Sequence, residues 1–336
     1  MTNAKILLDH GSGGKISHRL ISDMMLPLFN NPVLSQLDDG AILELEGKRI
    51  AFSTDTFTVD PIFFPGGSIG DLAINGTVND IAMCGAIPQY ISVGLLIEEG
   101  FAVADLEKIL KGMSQAAARA GVTVVTGDTK VVPKGAADKI FINTSGIGVI
   151  PEDVVVGSRH ARVGDVIILS GSIAEHGVVI MTQREGMTFA SDLKSDTAPL
   201  HLLVKRMLGV SRDIHVLRDP TRGGVGTALN EIAERSQVGI VIHEDKIPVK
   251  KEVLGICELM GFDPLYIANE GKLLAFAGPA HAQKILAAMQ ADPNGRDARI
   301  IGEVVSDNPG MVCLKTRIGG IRIVDMLTGE QLPRIC

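Results

Sequence analysis

From Pro88 to Val132 the sequence changes its hydrophobic period twice, and that alternation limits the fold more than any other feature. "PQYISVGLLI" reads as a strand, "AVADLEKILKGMSQAAARAG" as a helix and "VTVVTGDTKVV" as another strand. In the helix, Leu106, Ile109, Leu110, Met113 and Ala117 keep i, i+3, i+4 spacing, and Gly121 ends it. The pattern continues on both sides. "GKRIAFSTDTFTVD" is a strand running into a loop, and "KIFINTSGIGVI" is a further strand. "SIGDLAINGTVNDIAMCG" carries Leu72, Ile74, Val78, Ile81 and Met83 on a helical face closed by Gly85.

A second set follows the "PED" turn. "ARVGDVIILSG", "GIVIHEDKIPV" and "ARIIGEVVS" are strands, while "GGVGTALNEIAERSQ", "KEVLGICELMG" and "PAHAQKILAAMQ" are helices. Both sets mix strands and helices, so the fold class is α/β (α+β) in two domains. The boundary is placed at a Pro and a glycine-rich run: residues 1–155, then 156–325, with 326–336 as a tail. At 336 residues the chain is long enough for two such cores.

Charge and cysteine usage exclude several functions. A net charge of −7 with no cationic stripe argues against nucleic-acid binding. Cys84, Cys257, Cys313 and Cys336 form no C-x-x-C pair, which removes zinc and dithiol chemistry. The apolar run in "MTNAKILLDHGSGGK" is too short for a signal peptide, and no stretch spans a bilayer, so a cytoplasmic protein is expected. The eight histidines show no metal spacing; His176 and His243 read as structural or solvated. Cys84, Cys257 and Cys313 read as small core residues.

Small and acidic residues recur at the edges of elements in the first half: "HGSGGK", "DDGA", "STDT", "VNDIAMCGA" and "TGDT". Asp39, Asp55, Asp80 and Asp128 stand at these junctions. Such an oxygen-rich set is what Mg²⁺ requires, though each Asp can equally cap a helix or close a turn. "GSGGK" fails the Walker A pattern, because Asp9 and Ile16 occupy the places of the first Gly and the Ser or Thr. Gly13, Gly14 and Lys15 can still close over phosphates, or form a plain glycine turn. In "RDPTRGG", Thr221 and Gly223 stand near a helix N-terminus, which favours anions. "NEGK" sets Glu270 and Lys272 around a glycine before a strand.

Taken in order, "DDGA", "STDT", "VNDIAMCGAIP", "GDT", "DPTRGG" and "NEG" resemble the aminoimidazole ribonucleotide synthetase superfamily over nearly the whole chain. "HGSGGK" and the closing "PRIC" resemble its hydrogenase-maturation branch, the carbamoyl dehydratases. The resemblance implies two domains with mixed sheets, a homodimer, and ATP bound with Mg²⁺ in the first domain. It carries metal binding to Asp39, Asp55, Asp80 and Asp128, and nucleotide contacts to Asn79 and Lys15. It further implies that a carbamoyltransferase, HypF, loads a carbamoyl group onto Cys336. ATP-dependent dehydration then gives a thiocyanate, and the cyanide passes to iron held by a HypC–HypD complex for [NiFe]-hydrogenase. Glu270 and Lys130 are the candidates for handling the thiocarbamate proton.

This chemistry suits a cysteine at the last position, where a thiol can be offered outward and folded back. Five extended residues reach about 17–18 Å. Pro333 is expected to stiffen the tip, and Arg334 to favour the thiolate. Thiamine-monophosphate kinase and selenophosphate synthetase are the rivals within the superfamily, and neither accounts for Cys336. A prenyl anchor needs Cys where Pro333 stands.

Overall fold

The structure is a computed structural model. It describes residues 6–11, 14–29, 31–187, 192–329, 332 and 334–336.

Two sheets carry the architecture. The first has the order β1-β2-β7-β5-β6, made of β1 (Ala41–Leu45), β2 (Lys48–Phe57), β5 (Ile87–Glu98), β6 (Thr123–Val132) and β7 (Ile140–Ile150). The short β3 (Phe63–Phe64) and β4 (Gly67–Ser68) pair between β2 and the next helix. All pairs in the sheet are antiparallel except β5 with β6. That parallel pair needs a crossover, which the helix expected over 102–121 supplies. The second sheet runs β14-β13-β10-β12-β8-β11-β9. Its strands are β8 (Val166–Leu169), β9 (Ile214–Arg218), β10 (Gly239–His243), β11 (Leu274–Ala277), β12 (Arg299–Val305), β13 (Val312–Lys315) and β14 (Ile321–Val324).

The helices are α1 (Lys15–Leu20), α2 (Leu26–Phe29), α3 (Ile69–Met83), α4 (Val103–Ala120), α5 (Glu175–Arg184), α6 (His201–Val210), α7 (Gly224–Ser236), α8 (Lys251–Met260) and α9 (Pro279–Gln290). None among the described residues is long and apolar enough to cross a membrane. Ser68 and Asp71 form a reciprocal capping box that starts α3, satisfying two otherwise free amide donors. Gly70 has no side chain because a Cβ there would stand 2.6 Å from the Ile109 carbonyl oxygen on α4. On α4 the buried stripe is Ile109, Met113, Ala116, Ala117 and Ala120. Leu110, expected on that stripe, is exposed, because it lies at the margin of the face that buries Ile109 and Met113.

The core forms three clusters. One fills the second sheet with α7 and α8. Another lies between the first sheet, α3 and α4, and takes in Ile335 and Cys336 from the tail. The third joins the two halves, with Ile81 and Ala51 packed among Ile168, Leu203 and Leu273. The acidic end of α3 therefore meets the second half of the chain. Cys84 and Cys257 are buried as expected, whereas Cys313 is only half-buried because its strand lies next to the sheet edge.

Candidate active site

The site forms where β2, α3 and the β9–α7 loop converge. Asp39 precedes β1, Asp80 sits in the last turn of α3, and Asp219 follows β9. One carboxylate oxygen from each lies within 4.8 Å of the others. Burial, with each carboxylate's neighbours, raises all three above the usual carboxylate range, Asp219 to about 6. Asp55 on β2 is also raised, by burial first, and its charge acts on Asp80. Close acids that resist ionisation in the bare protein are the donor set a hard dication completes, so Mg²⁺ fits here.

A counter-charge already touches the group. Arg218 pairs with Asp39 and, at 2.9 Å, with Glu231 on α7. Glu231 also accepts from His18 Nε2 of α1 at 2.8 Å. Although burial opposes it, the neighbouring Arg218 holds the Glu231 carboxyl down to about 2. A cavity of about 960 Å³ opens beside this chain of charges, lined by Lys15, His18, Asp39, Thr221, Arg222 and Arg235 among others. That volume lies in the range that holds a nucleotide-sized ligand.

Arg222, an exposed residue that lines the cavity, links it to the tail. Its Nη1 lies 3.7 Å from Cys336 Sγ. The thiol is buried and pushed up to about 12, by desolvation first and by Glu270 and Asp55, with Arg222 opposing. Glu270 is also buried and raised well above the usual carboxylate range, chiefly by desolvation. Its Oε1 has no hydrogen-bond partner among the described residues. Its backbone N–H donates to Asp196, which pairs with Lys272 at 3.0 Å.

The tail is held by its own carbonyls. The Cys336 oxygen accepts from the Thr58 amide at 2.8 Å, and the Arg334 oxygen from the Asp60 amide and from Arg184 Nη2. Between them, the Ile335 oxygen accepts from His176 Nε2 at 2.7 Å.

Of the expected residues, Asp39, Asp55, Asp80, Glu270 and Cys336 gather around Arg222 and Asp219. Thr221 and Lys15 line the cavity, Lys15 with its Nζ on Asp325. Gly14 caps α1, whereas Gly13 and Pro333 lie outside the described residues. Asn79 is buried and fully engaged: its amide nitrogen donates to the Ala198 oxygen and its amide oxygen accepts from Leu200 N–H. It braces the 198–200 segment and is not among the residues that line the cavity.

Asp128 and Lys130 pair with each other on the exposed strand β6. The register Thr56↔Asn143↔Gly94↔Asp128 puts Asp128 three strand spacings, about 14 Å, from β2. Directly paired residues share a face, so Asp128 points away from the face that holds Asp55. Arg334 does not serve the thiol: it pairs with Asp138 and donates to the Thr58 oxygen. Asp219, Arg218 and Arg222 were not foreseen as site residues; the "RDPTRGG" motif was their only signal. His176, read as structural or solvated, grips the tail.

Two family models match, "AIR synthase related protein, N-terminal domain" over residues 37–150 and its C-terminal counterpart over 162–313. A carbamoyl dehydratase HypE of Cupriavidus necator is 49% identical over 99% of this chain and 95% of that protein. A crystal structure of a HypE–HypF complex superposes with a TM-score of 0.88 at 47% identity, covering 92% of this chain and 99% of that one. A HypE solved in complex with ATP superposes at 0.84 with 50% identity, over 99% and 100% of the two chains. Full-length identity at this level, on the same fold, makes the chain a member of the carbamoyl dehydratase HypE family.

Proposed function

We propose that this protein carries a carbamoyl group on Cys336 and dehydrates it, with ATP, to a thiocyanate that supplies the cyanide ligands of the [NiFe]-hydrogenase iron. One observation carries the reading: the Cys336 thiol lies buried against Arg222, beside a carboxylate with an unpartnered oxygen, at the edge of an acid cluster and a nucleotide-sized cavity. The names of the relatives, and the ATP and HypF complexes of the neighbours, support it.

The net change is –S–C(=O)–NH₂ plus ATP to –S–C≡N plus ADP and phosphate. Asp39, Asp55, Asp80 and Asp219 would hold Mg²⁺, and ATP bound there supplies the phosphoryl group that makes the amide oxygen a leaving group. The protein's own groups do the rest. Thr58 and the 334–336 backbone fix the thioester end. Arg222 offers a fixed cation where negative charge grows on the amide oxygen. Glu270 takes one N–H proton, since burial makes its carboxylate a stronger base than an exposed one, and the departing phosphate carries away the other.

A homodimer with a second copy on the outer face of the first sheet belongs to the same proposal. Leu43, Phe52, Tyr90 and Ile147 stand exposed there, the last three in one cross-strand row. That face also carries Asp128 and Lys130, so a second copy can bring them to a metal and phosphate site they do not reach alone. The proposed partners remain HypF as carbamoyl donor and HypC–HypD as cyanide acceptor. Intact-mass measurement of the protein with HypF, carbamoyl phosphate and ATP tests the proposal. Gain of one carbamoyl group followed by loss of water, both absent in Cys336→Ala, is expected. No gain, or equal modification of the variant, refutes it.

A further inference from the structure

We infer that His176 is a positioning residue that latches the tail and so decides when the Cys336 thiol, or the group it carries, faces Glu270 and Arg222; the inference rests on the proposed role of Cys336. Three consecutive carbonyls hold the tail. Those of Arg334 and Cys336 meet the backbone amides of Asp60 and Thr58, in the segment that follows β2. The carbonyl between them is met instead by the His176 side chain of α5.

Several groups fix that side chain. The ring is fully buried, and Phe64 meets it edge-on at 5.6 Å. Its Nδ1 lies 2.7 Å from Ser195 Oγ, which also accepts the Thr197 N–H. The Ile335 oxygen can only accept, so Nε2 carries the hydrogen. In the neutral ring, Nδ1 is then an acceptor and takes the single Ser195 hydroxyl hydrogen. Burial, which pushes His176 below its usual value, keeps this tautomer uncharged.

The latch is tied to the chemistry by two adjacent residues. Ser195 orients His176, while Asp196 accepts from the Glu270 amide and pairs with Lys272. The segment that sets the ring therefore also sets the proposed base. A tail gripped at Ile335 presents the next residue, Cys336, in register with Glu270. Release of that bond removes one of the tail's holds, beside those at Thr58, Asp60 and Arg184, and shifts the tail toward leaving for a carbamoyl donor.

The test uses the full-length protein and two readouts. The first is iodoacetamide alkylation under native conditions, followed by peptide mass at Cys336, with buried Cys84 and Cys257 as internal controls. His176→Leu should raise the rate at Cys336 about tenfold and leave the controls unchanged, the factor expected for losing one buried hydrogen bond. His176→Gln, which offers an N–H near the Nε2 position, should restore most of the protection. The second readout is dehydration of the carbamoylated protein in a single turnover with ATP, which should slow by a similar factor in the Leu variant and recover in the Gln variant.

An unchanged Cys336 rate in His176→Leu overturns the latch. If that variant exposes all three cysteines alike, Ser195→Ala decides. It frees the tautomer without opening the core, and a selective rise at Cys336 supports the latch whereas no rise overturns it. Failure of the carrier reading itself shows separately, as absence of any carbamoyl mass on the wild type, and leaves the alkylation result standing.

Discussion

Asp219 should be a residue that function imposes against stability. It is buried beside Asp39 and Asp80, and its carboxyl is raised from 3.8 to about 6, by desolvation first. The sign follows from proton binding. Between the unfolded value near 4 and the folded value near 6, the native state holds more protons than the unfolded one, so stability falls as pH rises through that window. Below it nothing is lost; above it the full penalty remains. A shift of about two units corresponds to about 3 kcal/mol at 1.36 kcal/mol per unit. Asp219→Asn removes the charge with little change of shape. In EDTA at pH 7.5 the variant should unfold about 4 °C higher, from about 2.1 cal/mol/K of unfolding entropy per residue over 336 residues. At pH 4 the two proteins should melt together. With millimolar Mg²⁺ and ATP the order should reverse, because only the wild type gains the binding free energy. Differential scanning fluorimetry across this grid is sufficient. A variant that melts lower than wild type in EDTA at pH 7.5 would show that Arg218 already compensates the cluster, and the argument for an awaited cation would fail.

Other residues give separate outcomes. Glu270→Gln should lower the single-turnover dehydration rate about 10²- to 10⁴-fold, with the carbamoylated mass accumulating, because the shape is kept and the base is lost. Gly271→Ala should be nearly as damaging: a Cβ there would overlap the Asp196 carbonyl, forcing apart the turn that holds Glu270 and Lys272. Its signature would be normal ATP binding by calorimetry with lost dehydration. Phe52→Glu on the uncovered sheet face should give a monomer in analytical ultracentrifugation and reduce Mg²⁺-dependent ATP turnover, since Asp128 and Lys130 would no longer meet a second copy.

What the sequence disclosed followed contrast between neighbouring residues. α4 was legible because one side is apolar and the other charged, and only the outer edge of its apolar stripe, at Leu110, differs from expectation. α5 and α6 were not recognised. From Glu175 to Thr182 every residue of α5 is buried, so no polar face marks its period. The site divided in the same way. Asp39 and Asp80 stand in short acidic motifs that suggest a metal, whereas "RDPTRGG" marks Arg218 and Arg222 only as part of a helix start, and their partners lie on other elements. Arg334 misled because adjacency in sequence suggested adjacency of charge. Its backbone takes a left-handed φ of 52°, and its guanidinium goes to Asp138 instead.

The depth of the tail site bears on the order of the two proposed reactions. With a thiol pushed up to about 12, the docked Cys336 is ionised to only about one part in 10⁴ to 10⁵ at pH 7.5. A solvated cysteine near 8.5 is ionised to about one part in ten. Nucleophilic attack on an activated carbamoyl group is therefore favoured outside the site by more than three orders of magnitude in thiolate alone. Once the sulfur carries the carbamoyl group it has no proton to lose, and the same burial no longer acts through its ionisation. It now acts on Glu270, raising its basicity, and it excludes the water that would hydrolyse a phosphorylated amide. One dry pocket thus suppresses the first reaction and favours the second, and the chemistry on the sulfur decides which of the two the tail is ready for.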